Sequence, residues 1–206
     1  MRINMSKLKT REQWLNEVID KHLLSYFSHT HANVLSRRCG GQSLTDIRHK
    51  IKVSCGFPAG VRGSKSNKTI GVCWGEGSST AGNIEIFISP TISESSRVID
   101  ILIHELIHAI LPEGEGHGKN FRACAKRLNL TGKMTATVAS DVLLYDIQKM
   151  LKDVGEYPHA KMQMSNHKKQ TTRMIKHECI NCGAIWRMSR KYIPQCCPNC
   201  AADYDE

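Results

Sequence analysis

His104 and His108 stand four positions apart and enclose a glutamate, in the pentapeptide His104-Glu105-Leu106-Ile107-His108. On a helix, side chains four positions apart lie on one face, so both imidazoles can reach one zinc ion. Zinc lowers the pKa of a bound water to about 7, and a carboxylate beside it can take the proton as the water attacks a peptide carbonyl. The spacing therefore predicts a hydrolytic zinc site with Glu105 as the general base.

A catalytic zinc needs a third protein ligand and an open coordination position. We predict His117, nine residues after His108, because the intervening Pro and Gly residues can turn the chain back beside the helix. Glu113 and Glu115 are the alternative ligands, and a loop histidine without metal is the third possibility. Metzincins carry a histidine six residues after the second ligand, and Gly114 at that position excludes this class.

Two CxxC pairs, Cys179-Ile180-Asn181-Cys182 and Cys197-Pro198-Asn199-Cys200, indicate a second metal site. Each CxxC turn directs two thiolates to one side, and two such turns complete a tetrahedral four-cysteine zinc site. A redox dithiol and disulfides are the competing interpretations. The odd count of nine cysteines and the absence of an apolar leader argue for reduced thiols and metal binding. Cys196 could replace Cys197, but Cys197 gives the two-residue spacing.

Apolar periodicity predicts four helices and three strands around these sites. The first helix is predicted at about 11–27, where Thr10 and Gln13 have capping-box spacing and the apolar face is Trp14, Leu15, Val18, Ile19, Leu23 and Tyr26. The second is predicted at 93–111, capped by Ser93, and the third at 118–130, closed by Gly132. The fourth is predicted at 140–151, with the apolar positions Val142, Leu143, Ile147 and Leu151. The strands fall at 50–54, 69–74 and 83–89, and Gly- and Ser-rich loops at 56–67 and 75–82. We therefore expect an α+β domain over residues 1–152.

The polar, basic segment 153–173, with Pro158, predicts a linker, and residues 174–206 form the cysteine module. Its interior is predicted as a short hairpin over 184–193, with Trp186 and Tyr192 as a minimal core and a positive φ at Gly183. A module of this size buries too little surface to fold alone, so bound zinc must stabilise it.

Basic residues exceed acidic ones by 29 to 19, a net charge of +10, which suggests an anionic partner. Residues 161–200 hold eight Lys and Arg residues and one acidic residue, for a net charge of +7. The candidate phosphate contacts are Lys168, Lys169, Arg173, Lys176, Arg187, Arg190 and Lys191, and Trp186 or Tyr192 could stack on a base. The alternative is a solvated basic linker. We expect DNA binding without sequence specificity.

No apolar run approaches the roughly 18 residues of a membrane span. We expect a cytoplasmic protein without membrane contact. A compact chain of 206 residues without long regulatory tails suits a bacterial or phage-infected cell better than a nucleus.

The segment 102–109, Leu-Ile-His-Glu-Leu-Ile-His-Ala, followed by Gly116-His117-Gly118-Lys119-Asn120-Phe121, resembles the SprT-like metalloprotease family, to which Spartan belongs. The resemblance implies a small zincin-like domain, with the HExxH helix packed on a short sheet, followed by a zinc ribbon. It implies His104, His108 and His117 as ligands of a catalytic zinc and Glu105 as general base. The CxxC spacing predicts the structural zinc on Cys179, Cys182, Cys197 and Cys200.

The leading hypothesis is thus a zinc endopeptidase that acts on DNA-bound or DNA-crosslinked proteins, with the basic ribbon as recruitment module. The first rival is a nucleic-acid-binding adaptor whose HExxH site is structural or inactive. An intact Glu105 argues against it, because a structural site needs no carboxylate there. A zinc enzyme that attacks a non-peptide amide is the second rival.

Overall fold

The computed structural model describes residues 9–57, 69–163 and 174–203. The chain divides into two compact units, residues 1–163 and 164–206. In the first unit, helices and strands surround one buried core; in the second, a small hairpin adjoins the cysteine cluster. The mixed α+β class predicted from the sequence is confirmed.

The first unit begins with one long helical segment, formed by α1 (Arg11–Val18), a π-helical turn (Ile19–Leu23) and α2 (Leu24–His29). Thr10 Oγ1 accepts a hydrogen bond from the Gln13 backbone, and the Gln13 side chain accepts one from the Thr10 backbone, so the capping box is confirmed. Of the predicted apolar face, all members except half-buried Tyr26 are buried.

Two short helices that the sequence pattern did not predict follow, α3 (Ala32–Arg38) and α4 (Leu44–Ile47). Each spans two turns or fewer, too short for a helical repeat of apolar residues to stand out. Ser43 caps α4 by accepting a hydrogen bond from the Asp46 backbone. These helices carry the chain to the first strand.

The central sheet has three strands, β1 (Ile51–Cys55), β2 (Gly71–Trp74) and β3 (Ile84–Ile88), in the order β1-β3-β2. β3 pairs parallel with β1 and antiparallel with β2, which leaves β2 at an edge. Ile84, Ile86 and Ile88 are buried, as their alternation predicts. Most of the loop predicted at 56–67 lies outside the described residues.

Helix α5 (Ser95–Ile110) packs on β2 and β3 and carries the HExxH residues. Its cap is Glu94, whose carboxylate accepts hydrogen bonds from the backbone of Ser96 and Arg97, rather than the predicted Ser93. The aliphatic positions of α5 from Val98 onward are nearly all buried. This burial fixes the helix face on which His104 and His108 lie.

Helix α6 (Lys119–Arg127) ends earlier than predicted, and Gly132 does not close it. Asn129 adopts a positive φ of 57° there, and β4 (Leu130–Lys133) and β5 (Ala136–Ala139) form an unpredicted hairpin that contains Gly132. Its strands have four residues each and no Gly in the turn, so the hairpin signal is weak. Helix α7 (Asp141–Val154) starts at the cap Ser140, but Val142 is exposed rather than part of its buried face.

Residues 155–163, predicted as linker, pack on the first unit. Trp14 Nε1 donates a hydrogen bond to the Gly155 carbonyl at 3.0 Å, and buried Tyr157 meets the Trp14 ring edge to face. The Met162 backbone N–H donates to the Pro90 carbonyl. The linker prediction is wrong for this stretch, because buried Tyr157 and the backbone hydrogen bonds at Gly155 and Met162 anchor it. Residues 164–173 lie outside the described range.

In the second unit, β6 (Ile175–Glu178) and β7 (Ile185–Met188) form a hairpin that encloses the first CxxC turn. The predicted hairpin over 184–193 is therefore wrong: only β7 of that segment is a strand, and a 3₁₀ turn (Arg190–Tyr192) follows. Trp186 is half-buried and stacks on the ring of His177, whereas Tyr192 is 68% exposed and is not a core residue. Gly183 has the predicted positive φ, 69°.

The described parts of both units contain no helix with the length and apolar character needed to cross a bilayer.

Candidate functional site

The three histidines predicted as zinc ligands meet at one point. His104 and His108 are one turn apart on α5, and His117 lies in the turn between α5 and α6. Gly114 and Gly116 in this turn have φ values of 87° and 57°, which a residue with a Cβ adopts only at a cost. The turn can therefore bring His117 back over the helix.

Two separations between the Nε2 atoms of the histidines are close to those of a tetrahedral metal site. His117 Nε2 lies 3.1 Å from His104 Nε2 and 3.2 Å from His108 Nε2. Zinc bonded to nitrogen at about 2.0–2.1 Å holds two ligand nitrogens about 3.3–3.4 Å apart. The buried ring of Phe121 contacts all three imidazoles, with centroid distances of 4.6–4.8 Å. The donor set and its geometry fit zinc.

Burial keeps these imidazoles in the neutral form that binds metal. Loss of solvation, together with the neighbouring imidazoles, lowers the pKa of His104 to about 3 and of His108 to about 4. Burial also lowers the pKa of His117. Neutral nitrogens that converge within hydrogen-bonding distance of one another favour a shared cation.

The two carboxylates considered as alternative third ligands point elsewhere. Glu115 accepts hydrogen bonds from the backbone N–H of Asn120 and from Asn120 Nδ2, at 3.2 and 3.0 Å. Glu113 lies against the backbone of Gly75 and Gly77. Neither belongs to the group of side chains that converge on the histidine site.

Glu105 is 5% exposed, and burial raises the pKa of its carboxyl to about 8. Its carboxylate lies against Gly71 of the edge strand β2. A Cβ at position 71 would overlap Glu105 Oε1 and would lie 2.7 Å from Ile101 Cγ2. Only glycine at this position leaves room for the carboxylate. No local pattern points to Gly71, because the pairing of strands distant along the chain places it beside Glu105.

Sequence reasoning also missed Thr137, which is 4% exposed and whose Oγ1 lies 2.8 Å from His104 Nδ1. Thr137 belongs to β5, in the hairpin that the sequence pattern did not predict. A threonine in an unrecognised strand gives no sequence signal for contact with a histidine 33 residues away.

A cleft of about 870 Å³ passes over the histidines and Glu105. Its walls are β2, the exposed face of α5, the turn that carries His117, the β4–β5 turn and the segment 40–42. Of the loop predicted at 75–82, Gly75 and Glu76 line the cleft. The cleft is large enough for several residues of an extended peptide.

The four predicted cysteines of the second unit also converge. Cys179 Sγ lies 3.7 Å from Cys200 Sγ, and Cys182 Sγ lies 3.7 Å from Cys197 Sγ. Zinc–sulfur bonds of about 2.3 Å place tetrahedral sulfurs about 3.8 Å apart, so this set fits zinc as well. Cys196 is outside the cluster and forms an isolated β-bridge with Asp203.

The two CxxC turns exchange hydrogen bonds. Asn181 Nδ2 of the first turn donates to Cys200 Sγ at 3.5 Å, and Asn199 Nδ2 of the second donates to Cys182 Sγ at 3.6 Å. Amide donors on sulfur stabilise the thiolate form that binds metal. The arrangement connects each cysteine pair to the other.

The basic residues predicted to contact nucleic acid are only partly described. Lys176 and Arg187 are paired in register on the exposed face of the β6–β7 hairpin, where Lys176 also forms an ion pair with Glu178 at 2.9 Å. Arg190 and Lys191 lie in the 3₁₀ turn, and Lys191 Nζ is 5.5 Å from the centre of the Tyr192 ring. Lys168, Lys169 and Arg173 lie outside the described residues.

Comparison with known proteins gives one match. Residues 42–140 match the model of the SprT-like family. The matched segment runs from just before α4 to the end of β5 and contains the three histidines, Glu105, Gly71 and Thr137. Searches of curated proteins and of solved structures found no match. Residues 42–140 are therefore a SprT-like domain.

Proposed function

We propose that the chain is a zinc-dependent endopeptidase with a zincin-type active site. The observation that carries this proposal is the convergence of three neutral imidazole nitrogens beside a buried carboxyl group in an extended cleft. The family match supports a metallopeptidase-type domain. A site that only held the fold together would gain nothing from Glu105, because burying a carboxyl group costs free energy. This argues against the adaptor hypothesis.

His104, His108 and His117 would hold the zinc through Nε2 and leave one coordination position open to the cleft. Zinc bound there would polarise the scissile carbonyl of the substrate and lower the pKa of a bound water, so that the water loses its proton near neutral pH. Glu105 accepts that proton on a carboxylate oxygen and later delivers it to the leaving amine nitrogen.

The position of β2 favours a polypeptide substrate. Within the described residues β2 pairs only with β3, so its other edge has no strand partner there and could accept an added strand. Gly71 and Cys73 of β2 line the cleft beside Glu105. An extended peptide held on this edge would pass across the catalytic residues, which favours peptide bonds over a small non-peptide amide.

We further propose that the substrates are proteins bound or crosslinked to DNA and that the second unit supplies DNA contact. Its support is the net charge of +7 over residues 161–200, the exposed Lys176 and Arg187, and the exposed ring of Tyr192. The four-cysteine site would hold a second, structural zinc. Cysteines without disulfide bonds at this site fit a reducing compartment such as the cytoplasm.

The test is cleavage of a basic DNA-binding protein, with and without DNA, by the wild type and by Glu105→Gln. The wild type should cleave the protein, and faster with DNA, while Glu105→Gln should bind two zinc ions per chain and lose at least about 100-fold in rate. Equal rates for the two proteins, at equal zinc content, would show that the site is not a protease.

DNA contact is tested with Arg187→Ala and, as a control on α7, Lys149→Ala. Arg187→Ala removes one phosphate contact. It should therefore reduce the magnitude of the slope of log K, where K is the association constant for DNA, against log salt concentration by about 0.7–0.9. Lys149→Ala should leave it unchanged. A wild-type slope for Arg187→Ala would remove this residue from the interface.

A further inference from the structure

The two ring nitrogens of His104 have different neighbours. Nε2 faces the other histidines, 3.1 Å from His117 Nε2, and Nδ1 lies 2.8 Å from Thr137 Oγ1. A ring nitrogen that binds a metal carries no proton, so the proton of the neutral ring must lie on Nδ1. Thr137 Oγ1 then accepts the Nδ1–H bond, and this contact selects the tautomer that presents Nε2 to the metal.

This contact is specific to one ligand. Among the described residues, Thr137 is the only side chain with a hydrogen bond to Nδ1 of a member of the histidine set. Thr137 is 4% exposed, so bulk water has little access to replace its hydroxyl. The orientation of the His104 ring thus depends on the position of β5.

An ion pair on α5, between half-buried Arg97 and buried Asp100, holds β5 at Thr137 and at Ala139. Arg97 Nη1 donates to the Thr137 carbonyl at 2.9 Å and to both carboxylate oxygens of Asp100, at 2.7 and 2.8 Å. Asp100 Oδ2 accepts the backbone N–H of Ala139 at 3.2 Å, and Asp100 is 4% exposed. The helix that carries His104 therefore also fixes the strand that orients it.

We propose that Thr137 is a positioning residue for the metal site, which fixes the tautomer and ring orientation of His104, and that the Arg97–Asp100 pair holds Thr137 in register with that ring. The inference rests on the proposed role of the three histidines as zinc ligands. Partners that orient a ligating histidine commonly contribute 10- to 100-fold to metal affinity. We expect a contribution of this size from the Thr137 hydroxyl.

The experiment titrates Co²⁺ into the metal-free full-length chain and follows the d–d absorption of the histidine site. Thr137→Val removes the hydroxyl at nearly constant shape, and Thr137→Ser keeps it. Thr135→Val is the matched control, because exposed Thr135 lies two residues away and also lines the cleft. The thiolate-to-metal absorption of the four-cysteine site serves as an internal standard in every titration.

Thr137→Val should bind Co²⁺ at the histidine site about 10- to 100-fold more weakly, Thr137→Ser within about threefold of the wild type, and Thr135→Val like the wild type. Wild-type affinity in Thr137→Val, or equal loss in the Val and Ser variants, would overturn the role of the hydroxyl. If Thr137→Val fails to fold, Thr137→Ser and Thr137→Ala carry the same comparison. Absence of a histidine-site signal in the wild type would instead overturn the proposed function.

Discussion

Gly71→Ala should damage catalysis without removing the metal. The added Cβ would overlap Glu105 Oε1 and lie 2.7 Å from Ile101 Cγ2, whereas ordinary van der Waals contact begins at about 3.4 Å. The neighbouring side chains must therefore retreat by roughly 0.7–1 Å. Glu105 Oε1 is at the end of a flexible side chain, whereas Ile101 Cγ2 is attached to a β-branched carbon with restricted rotation, so the carboxylate of Glu105 is the group expected to move. A displacement of about 1 Å in a catalytic group costs on the order of 100-fold in rate.

The assay compares kcat/KM for a basic protein substrate, zinc content and thermal unfolding. Gly71→Ala should lower kcat/KM about 100-fold at unchanged zinc content, with a loss of about 1–3 kcal/mol in the free energy of unfolding from overpacking. Gly56→Ala is the control, because a Cβ there would lie 3.5 Å from Phe87 Cδ1, an ordinary contact. Wild-type kcat/KM in Gly71→Ala would refute the argument that glycine is required beside Glu105.

Three further changes probe the folded state. Ala201 has a φ of 54° at the position where the first CxxC turn has glycine. Ala201→Gly should therefore stabilise the cysteine module by about 1 kcal/mol, and the control Ala202→Gly should not. Competition with a chelator for zinc measures both effects. Cys182→Ser should reduce the zinc content of the chain from two to one, and Cys196→Ser should leave it at two, as elemental analysis would show. Trp14→Ala should lower the free energy of unfolding in urea by about 3–5 kcal/mol, because it removes a buried ring and the donor to the Gly155 carbonyl; a loss below 1 kcal/mol would contradict the packing described for residues 155–163.

The parts of the molecule that sequence reasoning reached are those whose chemistry is local along the chain. The four-residue spacing of His104 and His108, and the spacing within each CxxC turn, are fixed by helix and turn geometry alone. The prediction of His117 required the further inference that a glycine turn folds the chain back beside the helix. In the structure, His117 does lie beside the other two histidines. Long amphipathic elements such as α1 and α5 were predicted for the same reason.

What sequence reasoning missed depends on tertiary pairing. Gly71 reaches Glu105 through the pairing of β2 with β3, and Thr137 reaches His104 through a hairpin with no strong turn residues. Tyr192 and Trp186 have similar aromatic character in the sequence, yet only Trp186 lies on the inner face of a strand pair. Composition cannot distinguish such residues, because the difference lies in which strand each one joins.

The three histidines lie on elements of different rigidity, and this difference has a consequence for the rate of metal exchange. Two of them sit on one rigid helix, whereas His117 sits on a glycine turn that the hydrogen bonds between Glu115 and Asn120 hold in place. A bound metal ion would leave only after its bonds break one by one, and His117 is the proposed ligand that could withdraw without unwinding a helix. We therefore expect zinc exchange to follow the opening of this turn, so that Glu115 governs how long an ion resides more than how tightly it binds.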